Sequence, residues 1–171
     1  MKQPIDLEPN CTACAALCCV VFAFDRSESF AIDKAAGEVC PNLDAHQQCK
    51  IFSRREHLGF KGCITYTCYG AGQRVSQDVF GGTGWDDDPT LKERMGAALS
   101  VLRRIHEQLV LLRSAERLPL DDRERKLHEE IGKILVPETK WSEASLSEFP
   151  IDSVTNKVST FLRSLRHHVT G

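Results

Sequence analysis

All eight cysteines of this chain, Cys11, Cys14, Cys18, Cys19, Cys40, Cys49, Cys63 and Cys68, fall within residues 11–68, and residues 69–171 contain none. The segment that holds them has glycines, short apolar runs and no sustained helical period beyond a turn or two in residues 13–24. A unit so short buries too little surface to offset its chain entropy, so it calls for a staple of disulfide or metal. The most apolar run, residues 14–24, is shorter than the about 20 residues that cross a bilayer. Asp6 and Glu8 precede it and no small-residue cleavage site follows, so it does not read as a secretory leader. The expectation is a cytoplasmic chain, where thiols stay reduced. Reduced cysteines at this density point to metal ligation.

Cys11-x2-Cys14-x3-Cys18-Cys19 sets four sulfurs in nine residues, close enough for a turn or short helix to aim several at one ion. Thiolates are soft ligands that suit zinc, iron-sulfur clusters or copper(I). Zinc and iron-sulfur clusters both accept four thiolates, so ligand count leaves the two open. Side chains on neighbouring alpha carbons diverge, and Cys18 and Cys19 are expected to be inequivalent, one a ligand and the other facing the core or a second metal. Eight cysteines then make one site with spares, or two four-ligand sites. His46 and His57 read as exposed loop residues rather than ligands.

After Gly70-Ala-Gly72 and Gly81-Gly-Thr-Gly84, which read as flexible turns, the chain changes character at Asp86-Asp87-Asp88-Pro89. Asp88 suits a helix cap and Pro89 the first helical position. The Gly81 turn lacks the Lys-Ser/Thr of a phosphate-binding loop. Leu91, Met95, Ala98, Leu99, Leu102, Ile105, Leu109 and Leu112 recur at helical spacing and predict a helix that ends near Leu118-Pro119. A second helix is expected over residues 121–135, with Leu127, Ile131, Ile134 and Leu135 on its inner face and Pro137 as the stop. A third is expected over residues 152–167 on Val154, Val158, Phe161, Leu162 and Leu165, with Arg163, Arg166, His167 and His168 near the negative end of its dipole.

The later cysteines stand in a recognisable order: Cys40-Pro41-Asn42-Leu43, then Cys49-Lys50-Ile51-Phe52 with Arg55, then Cys63-Ile64-Thr65-Tyr66-Thr67-Cys68. Over residues 11–68 this order resembles the YkgJ-type family of zinc- or iron-chelating proteins, whose pattern joins a paired C-x-x-C and C-C opening to C-P-x-L, C-x-I-[YF]-x-x-R-P and C-x-x-[FY]-x-C. Here three residues instead of two separate Cys14 from Cys18, and Glu56 replaces the proline. The surroundings of Phe30, Asp33-Lys34 and Gly70–Gln73 also resemble a cysteine-rich region that precedes pentapeptide repeats, but no such repeat follows. The resemblance implies metal chelation by the eight cysteines, and makes Arg55 a structural partner for nearby carbonyls or for Glu56.

The reading is therefore mainly α: a small, irregular, cysteine-rich, metal-nucleated domain over residues 1–84, then two or three packed helices over residues 85–171. The expected function is a zinc or iron-sulfur binding module with a helical segment that docks a protein partner or a second copy of the chain. The alternative is an iron-sulfur redox or electron-transfer component. A net charge of −2 with both signs mixed throughout gives no general pull toward nucleic acid or an anionic membrane.

Overall fold

Apolar spacing of helical period is concentrated in the second half of the chain, and the computed structural model, which describes residues 5–169, is mainly helical. In chain order the helices are α1 (Leu17–Val21), α2 (Gly62–Thr65), α3 (Ala71–Arg74), α4 (Leu91–Ala115), α5 (Asp122–Leu135), α6 (Glu143–Ser147) and α7 (Ile151–Ser164). A π-helical turn, Val75–Val79, continues α3, and 3-10 turns cover Cys11–Ala13, Phe52–Arg54 and Leu165–His168. Among the described residues there is no strand, only isolated bridges of Phe24 with Lys34 and of Leu43 with Cys49.

α4 is the axis of the fold because all eight apolar residues of its stripe are buried. Each leucine, isoleucine or methionine among them contributes roughly 1.5–3 kcal/mol on leaving water, far more than helix propensity supplies. On one side α4 packs against α5, α6 and α7, and on the other against α1, α3 and the π turn. One buried cluster accordingly runs from Leu7, Leu17, Ala71 and Val75 through α4 to Ile131, Leu146, Val158 and Leu165.

The helices begin and end close to where spacing and caps predict. α5 starts behind Asp121, whose side chain accepts from the Glu124 amide while Glu124 accepts from the Asp121 amide. α4 starts two residues later than expected, at Leu91, because Asp88 spends its carboxylate on the Thr90 amide and hydroxyl in a turn. In α5 only Ile131 and Leu135 are buried; Leu127 and Ile134, expected on the same inner face, are exposed, and His128 faces the bundle with Nε2 3.0 Å from the Leu112 carbonyl. Three features lay outside the sequence expectation. α6 follows a Ser142–Ser145 capping box and is flanked by the edge-on pair Trp141 and Phe149. A 3-10 turn closes α7. Residues 70–72, expected as a flexible turn, instead lead into nine residues of helix buried against α4.

Polar groups of α4 fasten the cysteine region to the bundle. Arg103 Nε donates to the Thr67 carbonyl at 3.1 Å, and the Arg113 guanidinium donates to the Ile5 carbonyl. His106, 0% exposed, lies with Nδ1 2.6 Å from the Tyr69 carbonyl. A carbonyl only accepts, so the proton is on Nδ1, and Nε2 is left buried without a hydrogen-bond partner. Burial holds the His106 pKa down at about 4. The unfolded chain, with an ordinary value of about 6.5, then binds more protons than the folded one between those limits, and stability falls as pH falls through that window. The expected loss between pH 7 and pH 5 is about 2 kcal/mol. Urea titrations at the two pH values should show that loss, and a His106→Gln variant should lack most of it.

Candidate metal centre

The cysteine loops have little regular structure of their own, so their position is set by side chains that satisfy their backbone. Asn10 caps the first 3-10 turn through the Thr12 amide at 3.1 Å. The π-helical segment then holds the opening cysteines from behind. Gln73 accepts from the Asn10 amide and donates to the Glu8 carbonyl, Ser76 Oγ accepts from the Ala15 amide at 2.9 Å, and Gln77 donates to the Ala13 carbonyl. Trp85 Nε1 adds a donor to the Ala15 carbonyl at 2.6 Å. Ala16 takes a left-handed backbone, φ 48°, which turns the chain into α1. That single turn buries Leu17 and Val20 and leaves Cys18 and Cys19 partly exposed.

Lys34 organises the stretch between the first and second halves of the cysteine set. Its side chain is buried, the residue only 3% exposed, and its ammonium donates to the carbonyls of Val20, Ala35 and Glu38 at 3.1, 3.0 and 2.7 Å. The Cys40 amide donates to the Cys19 carbonyl at 3.0 Å, so these two cysteines are adjacent in space. On the far side Arg55 donates to the carbonyls of Phe52 and Cys63 at 2.8 and 2.9 Å, with its guanidinium 3.8 Å from the Phe52 ring centre. Of the two partner types expected for Arg55, the structure has carbonyls. Lys34 was missed as an organising residue because a lysine in a short loop gives no sign that it is buried; its three carbonyl partners exist only in the folded chain.

These loops close around one cavity of about 810 Å³ that is lined by Cys11, Cys14, Cys18, Cys19, Cys40, Cys49 and Cys63. Cys68 is not in that lining but lies beside Cys14: a Cβ built on Gly72 would lie 2.7 Å from Cys14 Sγ and 3.8 Å from Cys68 Sγ. Of the two places expected for the second cysteine of the Cys18-Cys19 pair, the core and a second metal, the core is not where it lies, since both residues line the cavity. His46 and His57 are exposed and do not line it. The rest of the wall is largely aromatic and aliphatic, with Phe22, Phe24, Phe30, Phe60 and Tyr66 among its residues.

Such a wall disfavours isolated thiolates. Burial pushes the Cys14 and Cys63 thiols up to about 11, and for Cys63 the neighbouring Cys18, Cys40 and Cys49 sulfurs add to the effect. The Cys18 thiol is raised further, first by the Cys19 side chain against it and then by burial. A soft cation inverts that balance, because it compensates several thiolates at once and releases their protons. The spacing of the donors also bears on what fits. Zn–S bonds of about 2.3 Å give a tetrahedron with edges of about 3.8 Å, whereas among the described residues no three cysteine sulfurs lie within 4.8 Å of one another. The ring is wider than one tetrahedral ion requires.

Gly72, in α3, is where this helical platform touches the donors, so Gly72→Ala should displace Cys14, cost roughly 1–3 kcal/mol and lower the metal retained per chain. Gly132→Ala in α5, where an added methyl meets nothing within 4 Å, should stabilise by up to about 1 kcal/mol and leave metal content unchanged. Lys34→Met should strand three carbonyls at a cost of about 1–3 kcal/mol, read from the urea midpoint.

No family model matches the chain, and no solved structure matches it. It is similar to the uncharacterized protein YybG of Bacillus subtilis (strain 168), with 32% identity over 161 residues that make up 92% of this chain and 56% of that protein. The chain thus spans about half the length of the curated relative it matches.

Proposed function

We propose that the eight cysteines form one thiolate metal centre, with zinc or an iron-sulfur cluster as its cofactor, and that the chain is a metal-binding module whose helical half docks a protein partner or a second copy. The observation that carries the reading is the convergence of seven cysteines, from segments as far apart as Cys11 and Cys63, on a single cavity, with the eighth, Cys68, beside Cys14. Buried structural thiols have no reason to share one cavity. The donor set is soft and all sulfur, which suits zinc or iron and not magnesium or calcium. Because the sulfurs are spread more widely than one tetrahedron, the centre is read as polynuclear, two zinc ions or a cluster, rather than one ion with spare ligands. The cysteines are read as reduced, in keeping with a cytoplasmic chain, and among the described residues no helix is long and apolar enough to cross a membrane.

When bound, the metal supplies the cross-link that the loops lack. The residues themselves contribute donors, and Arg55 offers positive charge near Cys11 and Cys63. For the helical half, the support is an apolar groove between α4 and α7 at Leu111, Leu162 and Leu165, with the exposed Val169 at its end.

Anaerobically purified chain, analysed for zinc, iron and acid-labile sulfide, should contain more than one metal ion per chain. Cys18→Ser, Cys40→Ser and Cys63→Ser should each lower that content, since they stand on both sides of residues 20–39. A folded sample free of metal would overturn the reading. Iron with sulfide and a visible absorption bleached by reduction would move the function to electron transfer; a colourless zinc protein would move it to a structural or partner-binding module.

A further inference from the structure

A second set of donors meets at the other end of the molecule. After α7 the 3-10 turn Leu165–His168 carries two adjacent histidines back against Glu124, in the first turn of α5. His168 Nε2 lies 2.9 Å from Glu124 Oε2, and His167 Nε2 lies 3.5 Å from Glu124 Oε1. The two imidazole centres are 3.9 Å apart. Donor atoms of these three side chains lie within 4.8 Å of one another, and no other three His, Cys, Asp or Glu side chains among the described residues come so close.

Two of the three donors are held from behind. The Asp121 amide donates to Glu124 Oε2 at 2.8 Å, which orients the carboxylate and leaves Oε1 turned toward His167. His167 Nδ1 lies 3.0 Å from the Ser164 carbonyl, to which it donates, and this directs Nε2 toward Glu124. Imidazoles that bind metal have this arrangement, with a backbone carbonyl or carboxylate on the opposite nitrogen fixing tautomer and ring direction. The side chains of Glu124 and His168 are 13% and 12% exposed, and that of His167 is 61% exposed. Two donors are therefore fixed in the wall, and the third borders solvent, where a water can complete the shell. Metal bonds of about 2.0–2.1 Å make a tetrahedral edge of about 3.4 Å, and the two observed nitrogen-oxygen distances straddle it.

The His168 contact with the capping carboxylate and the His167 bond to the Ser164 carbonyl leave both Nε2 atoms on the Glu124 side, where one divalent ion would be shared by the two imidazoles and the carboxylate.

We propose that Glu124, His167 and His168 form a site for a divalent transition metal of the zinc class, which pins the end of α7 to the start of α5 and is separate from the cysteine centre. Two imidazoles and one carboxylate select zinc, cobalt, nickel or iron(II) over magnesium and calcium.

Cobalt(II) is the probe, because X-ray absorption at its edge sees only the added metal even when the cysteines carry zinc or iron. The full chain, purified anaerobically with its own metal retained, should bind one further equivalent with a nitrogen and oxygen shell and no sulfur. His167→Ala and Glu124→Gln should each weaken that binding by tenfold or more, while His46→Ala leaves it unchanged. Cobalt should also raise the melting temperature of the native chain and not that of the His167→Ala, His168→Ala double variant. His167 is mostly exposed, so its removal leaves the fold intact, which circular dichroism checks; the Glu124→Gln variant keeps a side-chain oxygen that accepts from the Asp121 amide. A cobalt shell containing sulfur would overturn the site by placing the added ion at the cysteines, and undiminished affinity in His167→Ala or no binding at all would overturn it while leaving the reading of the cysteine centre untouched.

Discussion

The cysteine region depends on one contact, the seating of residues 67–79 on α4. The carbonyls of Thr67 and Tyr69 point at α4 and are capped there by Arg103 and the neutral ring of His106. Buried carbonyls left without donors would cost free energy comparable to a lost hydrogen bond each, so an irregular chain can lie against the bundle only where the bundle supplies the donors. Glycine completes the fit. Gly70 adopts φ 75° with the Asp6 carbonyl 2.7 Å from where a Cβ would stand, and Gly72 leaves room for Cys14 Sγ. From this platform Gln73, Ser76 and Gln77 reach out to residues 8–15, and the opening cysteines follow.

Beyond the platform, two cations take over the work that strands or helices do in more regular folds. Lys34 gathers three carbonyls from both ends of the segment between Cys19 and Cys40, and Arg55 joins the Cys49 loop to the Cys63 turn. Both are satisfied by backbone rather than by carboxylates. The loops gather thiols around one cavity, and burial raises the Cys14 and Cys63 thiols because such a wall stabilises uncompensated negative charge poorly. A soft cation and this cavity are complementary in that sense: the wall destabilises bare thiolates, and the ion stabilises several together.

The bundle illustrates a second use of a helix end. The residues at the close of α7 were read as partners of its own dipole, and His167 does bond the Ser164 carbonyl. Its other nitrogen, together with His168, faces the capping carboxylate of α5. A local interaction and a long-range one therefore share a single imidazole. The apolar core, continuous from Leu7 to Leu165, keeps α5 and α7 close enough for that meeting.

Much of the architecture was legible because it rests on local periodicity. The α4 stripe, the Asp121 cap, Pro137 as a stop and Val154 to Leu165 on α7 are patterns within a few turns of chain, and helices answer to such patterns. The clustering of eight cysteines likewise marked residues 11–68 as the place where donors gather. What the sequence could not determine is how elements meet. That Cys18 and Cys19 both line the cavity, that residues 71–79 are helical, that Leu127 and Ile134 stay outside, and that Lys34 is buried all depend on groups tens of residues away. Glu124, His167 and His168 are the plainest case: more than forty positions separate the carboxylate from the imidazoles, and only the packing of α5 on α7 makes one site of them. Local order is encoded by neighbouring side chains competing for one helix face, whereas a site is a long-range coincidence that exists only after the core has closed.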